Sequence, residues 1–356
     1  MPITRASLTR RLACGLLAAL AVSAPLTPAL AQDKVINVYS ARHYPGDEQL
    51  YAAFTQATGI RIQRVDSDDA GILARLRAEG ASSPADVILL VDAARLAVAE
   101  QQGLFRPIKS AKLDAAIPPE LRAAATPEGV SWTGFSTRAR VIVYDPLRVK
   151  AEDVATYEQL GDPKLKGLLC TRSGSHPYNL SLFASVIERL GEAKGQQWLN
   201  GMVANMARPP KGGDTDQIRA VASGECGVAL TNSYYLARLL KSDKPEDRRV
   251  VERVRVVFPN QASTGTHINI AGGAVARHAR NVEGAIAFLE FLASPQAQEY
   301  FANGNNEFPA ARGVRVDNPA LKAMGADRFK ADTLPLTVVA QNLPKVQQML
   351  DRAGFQ

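Results

Sequence analysis

The chain has 356 residues, of which 46% are hydrophobic, and a formal net charge of +7. Its basic and acidic residues are interspersed, without runs of five or six like charges, so the composition argues against a nucleic-acid or membrane-surface partner. The length suggests two domains or one large unit of two lobes.

The N-terminus has the three parts of an export signal. In order, these are the basic residues Arg5, Arg10 and Arg11, the apolar run 12–30, and the small-residue sequence Ala29-Leu30-Ala31. We predict a signal peptide over residues 1–31, cleaved after Ala31, and a mature protein in the periplasm. The arginine pair leaves twin-arginine export open beside the general secretory route. Cleavage leaves 39 basic and 35 acidic residues, a mildly basic charge of +4.

Two cysteines, Cys170 and Cys226, remain after processing, and both border predicted strands. Neighbouring parallel strands can bring their Cα atoms into bridging range, and the periplasm is oxidising. We predict a disulfide between them, with two buried thiols as the alternative.

The mature sequence alternates between strand-like and helix-like segments. The first predicted strands are 35–39, 60–65 and 86–91, and the first predicted helices are 45–58, 71–79 and 93–101. This β-α-β-α-β order predicts a parallel sheet covered by helices, an α/β fold.

A second α/β set follows the β-rich run 132–144. Its predicted strands are 168–171, 228–230, 254–258 and 268–275, and its predicted helices are 180–190, 193–203, 214–222, 282–293, 295–303 and 341–353. The sequence has no linker between the two sets, so we expect strands near 132–140 and 256–266 to cross between two lobes and form a hinge. The lobes are assigned as 32–131 with 260–312 (N-lobe) and 132–259 with 313–356 (C-lobe).

Tyrosines follow three of the predicted strands. Tyr44 follows the first, Tyr178 follows another, and the adjacent pair Tyr234 and Tyr235 follows a third through Thr231-Asn232-Ser233. Adjacent side chains diverge by about 100° in a helix and alternate in a strand, so two neighbouring phenols converge only at a strand-to-helix turn. We expect the asparagine or serine of that turn to cap the next helix. Since open α/β sheets bind ligands at strand carboxyl ends, one ligand in an interlobe cleft could touch all four rings.

Each of these tyrosines alone is most often a packing residue, and it is their shared placement that favours a site. A phenol side chain in water has a pKa of about 10, so four phenols are of no use for acid–base work near neutral pH. Phenolate is a hard oxygen ligand whose proton a trivalent cation such as Fe³⁺ displaces. Arg138 and Arg238 are candidates to balance the excess negative charge. His43 is either a ligand or a helix-capping or hydrogen-bonding residue.

Enzymatic functions find no support in the motifs. The sequence contains no G-x-S-x-G, H-E-x-x-H, P-loop or G-x-G-x-x-G, and Gly272-Gly273 lacks the spacing of a dinucleotide site. We therefore expect a binding protein, not an enzyme.

Several segments carry a resemblance to a known family. They are 38–44 (VYSARHY), 54–60 (FTQATGI), 83–87 (SPADV), Tyr178-Asn179 and 231–235 (TNSYY). The chain resembles the periplasmic ferric iron-binding proteins of ABC transporters, which have the bilobed, type II, transferrin-like binding-protein fold with two mixed sheets. In the cyanobacterial ferric-uptake type, a histidine and four tyrosines hold the iron, and the matching positions are His43, Tyr44, Tyr178, Tyr234 and Tyr235.

The resemblance implies a monomeric substrate-binding component that captures Fe³⁺ and delivers it to an inner-membrane permease. Relatives that need a phosphate or carbonate beside the iron often have a glutamate ligand where this chain has Val91, so we expect no obligatory anion. Asp92 would challenge this if the correspondence slipped by one residue. The alternatives are a signalling receptor and a binder of small organic anions.

Overall fold

The structure is a computed structural model that describes residues 35–42, 44, 46–315, 317–326 and 328–356. The predicted signal peptide over residues 1–31 and its cleavage site lie outside the described residues, as does His43. The described part of the chain forms an α/β fold, as the alternating sequence pattern predicts.

Strands and helices alternate along most of the described chain. The strands are β1 Val35–Ser40, β2 Arg61–Asp66, β3 Val87–Leu90, β4 Phe105–Arg106, β5 Thr133–Tyr144, β6 Leu169–Cys170, β7 Val228–Asn232, β8 Arg255–Val257, β9 Ile268–Ala276 and β10 Phe308–Pro309. The helices are α1 Asp47–Thr58, α2 Asp69–Glu79, α3 Ala93–Gln101, α4 Ala111–Ala116, α5 Pro177–Leu190, α6 Glu192–Ala204, α7 Asp214–Ser223, α8 Ser233–Leu240, α9 Pro245–Arg253, α10 Val282–Leu292, α11 Pro295–Asn305, α12 Pro319–Ala323 and α13 Leu336–Ala353.

The strands form one mixed sheet with the order β2-β1-β3-β9-β5-β7-β6. In what we call the first sheet section, β1 pairs in parallel with β2 and β3, and β9 runs antiparallel between β3 and β5. In the second sheet section, β7 pairs antiparallel with β5 and parallel with β6. The two mixed sheets predicted from the sequence are thus two sections of one hydrogen-bonded system.

Strand β5 joins the two sections because its two halves pair with different partners. Residues 133–139 pair with β9, and residues 140–144 pair with β7. The predicted crossing near 132–140 is therefore a strand. The second predicted crossing, 256–266, is not: β8 ends at Val257 and the chain turns from Pro259 to Thr264, with Asn260 at a φ of 61°. Proline and a left-handed residue both interrupt an extended strand.

Most predicted helices are present within a few residues, and three helices were missed. Helix α1 ends where Gly59 adopts a φ of 73°, a left-handed C-cap that glycine accommodates without steric cost. The missed helices are α4, α9 and α12, and α13 begins at Leu336 instead of residue 341. Helix α9 was missed because its sequence, PEDRRVVER, is mostly charged and has few apolar residues to mark a buried face.

The hydrophobic core lies between the sheet and its helices, in a large cluster and a smaller one around Cys170 and Cys226. Gly272 and Gly273 on β9 have a packing function. A Cβ atom at either position would lie 2.7 Å from a leucine methyl group, of Leu96 or Leu89 respectively. Close approach of neighbouring side chains therefore accounts for this glycine pair.

Residues Asp33–Gln356 form one compact unit. The assigned lobe boundaries remain a prediction. Among the described residues, no helix combines the length and apolar character that spanning a membrane requires.

Candidate metal centre

The four tyrosines predicted to meet do lie together. The hydroxyl oxygens of Tyr178 and Tyr234 are 3.3 Å apart. The ring of Tyr44 contacts that of Tyr234 edge-on, with centroids 6.1 Å apart, and the rings of Tyr234 and Tyr235 are 4.3 Å apart. Tyr44 comes from the end of β1 in the first sheet section, and the other three follow β6 and β7 in the second.

The connection between β7 and the helix that carries the tyrosine pair differs in one detail from the prediction. Strand β7 continues through Asn232 and passes directly into α8 at Ser233, without a separate turn. Asn232 holds the N-cap position of α8, as predicted, but its side chain makes no cap hydrogen bond. The Asn232 side-chain oxygen accepts from Arg140, and the Ser233 hydroxyl accepts from the Ala139 amide, so both side chains bind β5. Tyr234 and Tyr235 still lie on the first turn of the helix.

Burial keeps three of the phenols, those of Tyr44, Tyr178 and Tyr234, protonated in the absence of a cation. Tyr44, Tyr178 and Tyr234 are buried, and Tyr235 is half-buried. Burial raises the pKa of Tyr178 to about 12. It also raises the pKa of Tyr44 and of Tyr234 well above the ordinary value for a phenol. A group of neutral phenols must therefore exchange protons for a cation to become ligands.

Two arginines, Arg238 and Arg42, lie against the ring of Tyr44. The guanidinium carbon of Arg238 is 5.1, 4.9 and 5.5 Å from the ring centroids of Tyr44, Tyr234 and Tyr235. The guanidinium of Arg42 lies 4.9 Å from the Tyr44 ring and forms ion pairs with Asp47 and Glu307. Arg238 was predicted as a neighbouring cation, whereas Arg42 was quoted only as part of a motif.

Arg138, the other predicted cation, is buried with 2% of its surface exposed. Its guanidinium carbon lies 5.6 Å from the Tyr178 ring. None of its three guanidinium nitrogens has a hydrogen-bond partner among the described residues. A buried cation without an acceptor is costly, and it favours any change that places negative charge beside it. Ionisation of the phenols would be such a change.

Among the described residues, one histidine, His176, contacts the tyrosine cluster. His176 is the N-cap of α5: its Nδ1 atom accepts from the Tyr178 amide, and its ring lies 4.5 Å from the Tyr178 ring. Burial, together with the nearby charges of Arg172 and Arg140, lowers the pKa of His176 to about 3, so the imidazole is neutral. His43 cannot be placed because it lies outside the described residues.

The carboxylate of Asp92 is occupied by structural hydrogen bonds. One oxygen accepts from the Ala94 amide and caps α3, the other accepts from the Asn269 side chain, and both accept from the Ser181 hydroxyl. Asp92 is fully buried. Through these hydrogen bonds, the Asp92 carboxylate links the end of β3 to β9 and α5.

A polar cluster behind the phenols was missed by sequence reasoning. Arg140 and Arg172 both donate to the carboxylate of Asp214, and Arg140 also donates to Asn179 and Asn232. Asn179 and Asn232 carried a signal, since both stand in quoted motifs. Asp214 is distant in sequence from every tyrosine of the site, and no local pattern marks it.

The predicted disulfide is present. Cys170, at the end of β6, is bonded to Cys226, just before β7, with Cα atoms 5.9 Å apart. The bridge therefore ties together the two strands that lead to Tyr178 and to the tyrosine pair.

A mixed α/β sheet with a buried group of polar side chains beyond its strand ends defines a ligand-binding protein. Residues 49–330 match the family model described as bacterial extracellular solute-binding protein. Iron uptake protein A1 of Synechocystis is 44% identical over 332 residues, covering 93% of this chain and 90% of the relative. Iron uptake protein A2 of Synechocystis is 45% identical over 330 residues, covering 92% of both.

A solved Trichodesmium structure, described as IdiA (FutA) in complex with iron and citrate ligands, superimposes with a TM-score of 0.85. It is 46% identical, and the match covers 90% of this chain and all of that one. The chain thus belongs to the bacterial extracellular solute-binding proteins, in the family that includes these iron uptake proteins. The resemblance to ferric iron-binding proteins and the bilobed α/β fold class are confirmed.

Proposed function

We propose that this protein binds Fe³⁺ in the periplasm through the phenolates of Tyr44, Tyr178, Tyr234 and Tyr235, with His43 as the fifth ligand. It acts as the monomeric substrate-binding component of an ABC transporter and delivers the ion to an inner-membrane permease. It is a carrier and not an enzyme. The observation that carries the proposal is the convergence of four tyrosines from three separate strand ends.

The chemistry of the cluster suits a hard trivalent cation. Fe³⁺ displaces phenol protons, and four phenolates leave one excess negative charge on the site. Arg138 and Arg238 lie where they can offset that charge. The names of the relatives, iron uptake proteins, support iron over an organic anion or a signalling ligand.

We further propose that no additional anion is required for binding. The position expected for a glutamate ligand is Val91, and the oxygens of neighbouring Asp92 already accept hydrogen bonds. The Trichodesmium relative is described with citrate as well as iron, so the requirement needs a direct test in this protein. Iron loaded by air oxidation of Fe²⁺ in a buffer without carboxylate or phosphate should bind with the same spectrum as iron supplied with citrate.

Binding is coupled to closure of the lobes, 32–131 with 260–312 against 132–259 with 313–356. Tyr44 follows β1, and the other three phenols follow strands of the other sheet section. A cation that touches both sets interacts fully only with the closed arrangement, so it shifts the population toward closure.

Titration with Fe³⁺ tests the central proposal. Phenolate coordination should produce a visible charge-transfer band that saturates at one iron per protein, and small-angle scattering should show compaction in parallel. If saturating iron produces no band, the proposed ligand set is wrong. A band without compaction would retain the ligands and remove the coupling to closure.

A further inference from the structure

A single buried carboxylate ties together the two helix N-termini that carry three of the four phenols. Tyr178 lies on the first turn of α5, and Tyr234 and Tyr235 lie on the first turn of α8. Since these turns are far apart in the chain, the 3.3 Å separation between the Tyr178 and Tyr234 hydroxyls depends on whatever fixes one turn against the other.

Asp214, the first residue of α7, makes that connection. One carboxylate oxygen accepts from Arg140 at 2.5 Å and from the Asn232 backbone amide at 2.7 Å. The other accepts from Arg172 at 3.3 Å. Asn232 lies two residues before Tyr234, so this contact holds the start of α8.

Arg140 carries the connection to the other turn. Its second terminal nitrogen donates, at 2.7 Å, to the side-chain oxygen of Asn179, the residue that follows Tyr178. The Asn179 amide group in turn donates to Thr171 and to the Arg172 carbonyl oxygen. The Arg172 guanidinium also lies 5.0 Å from the Tyr178 ring. The start of α5 is thus held by the same group of side chains.

Burial makes this arrangement rigid. Asp214 and Asn179 are fully buried, and Arg140 has 2% of its surface exposed. Removal of one partner of a buried ion pair leaves an uncompensated charge, so the pair has little freedom to move apart. Mutation of residues that orient metal ligands through hydrogen bonds typically changes metal affinity by about 10- to 100-fold.

We propose that Asp214 is a positioning residue for the iron site: it sets the spacing of Tyr178 and Tyr234 before metal arrives. This inference rests on the proposed function. If the protein did not bind iron, Asp214 would only be one partner in a structural ion pair.

The test compares Asp214→Asn with Asp247→Asn in the full mature protein. Asp247 is a matched control because it is also a buried aspartate, and its partners, Arg219 at 2.9 Å and Ser242, lie on neither phenol-bearing turn. Three quantities are measured: the unfolding midpoint without metal, the Fe³⁺ affinity by chelator competition, and the position of the charge-transfer band.

We expect Asp214→Asn to lower Fe³⁺ affinity by about 10- to 100-fold and to shift the band. Asp247→Asn should lower the unfolding midpoint but leave affinity and band unchanged. A folded Asp214→Asn protein with wild-type affinity and band overturns the proposal.

Should Asp214→Asn fail to fold, Arg172→Gln replaces it, because Arg172 is partly exposed and its loss removes one ion pair from the same carboxylate. The same shift of band and affinity is expected, and its absence overturns the proposal. Failure of the proposed function is distinguishable, because then the wild-type protein itself would show no band.

Discussion

The hydroxyl oxygens of Tyr178 and Tyr234 lie 3.3 Å apart across a sequence separation of 56 residues. The bridged cysteines, Cys170 and Cys226, have the same separation of 56 residues. Strands β6 and β7 pair in parallel, with Leu169 opposite Val228 and Cys170 opposite Ala229, and each strand leads to a helix start that carries phenols. The phenols meet because strands β6 and β7 are held side by side.

Replacement of Tyr234 by phenylalanine should remove one ligand from the centre of the cluster. Tyr234 contacts Tyr44, Tyr178 and Tyr235, so its loss affects the whole group. We expect Fe³⁺ affinity to fall by ~100-fold or more. Loss of a direct ligand should cost at least as much affinity as loss of a residue that only orients a ligand. Chelator competition and the intensity of the visible band measure the effect. Tyr144→Phe, at a buried tyrosine on β5, is the control, and an equal loss there would argue against ligation by Tyr234.

Arg138→Met should separate stability from iron binding. The guanidinium is buried without a hydrogen-bond acceptor among the described residues, so methionine removes a desolvation cost of about 1–3 kcal/mol. We expect the metal-free variant to be at least as stable to urea as the wild type. Its Fe³⁺ affinity should fall about tenfold or more, because the phenolates lose a buried cation that lies beside Tyr178. Lower stability with unchanged affinity would contradict a charge-balancing role.

Asp92 should make the stability of the metal-free protein depend on pH. Burial raises the pKa of Asp92 to about 6, above its unfolded value of 3.8. The folded state then binds the proton more tightly. The resulting stabilisation is fully present below pH 3.8 and is lost as the pH rises through 6, by about 3 kcal/mol in all.

Asp92→Asn should remove that dependence. Urea unfolding of both proteins between about pH 4 and pH 7 should show a free-energy difference that changes with pH in the expected direction. Asp69, whose pKa burial also raises, is present in both proteins, but its charge acts on Asp92, so the difference reports the titration of the interacting pair. Parallel pH profiles would show that Asp92 does not titrate in this range.

Removal of the disulfide should destabilise the protein. For a separation of 56 residues, the loop-entropy relation gives about 4 kcal/mol for a Cys170→Ala, Cys226→Ala double variant. Urea unfolding under non-reducing conditions measures it. The denatured, unreduced mature protein should also show no reaction with a thiol reagent, and two reactive thiols would contradict the bridge.

Much of the fold followed from local patterns. Alternating apolar residues and glycine or proline stops marked most strands and helices, because each element must present an apolar face to the same core. Helix α9 was missed because it has few apolar residues, and α4 and α12 are only six and five residues long. The crossing predicted over 256–266 is not a strand, because β8 ends at Val257 and the chain turns from Pro259, with Asn260 in the left-handed region.

The tyrosines were found from the sequence because each follows a strand, and strand carboxyl ends share one edge of a parallel sheet. The residues that hold them could not be found in this way. Asp214 accepts from Arg140 and Arg172 across 74 and 42 residues, and Arg42 meets Glu307 across 265. Sequence alone determined which side chains can bind a hard cation. Only the tertiary structure showed which charged residues pack beside these side chains. A buried ion pair forms through the packing of elements that are distant in the chain, so no periodic sequence pattern indicates it.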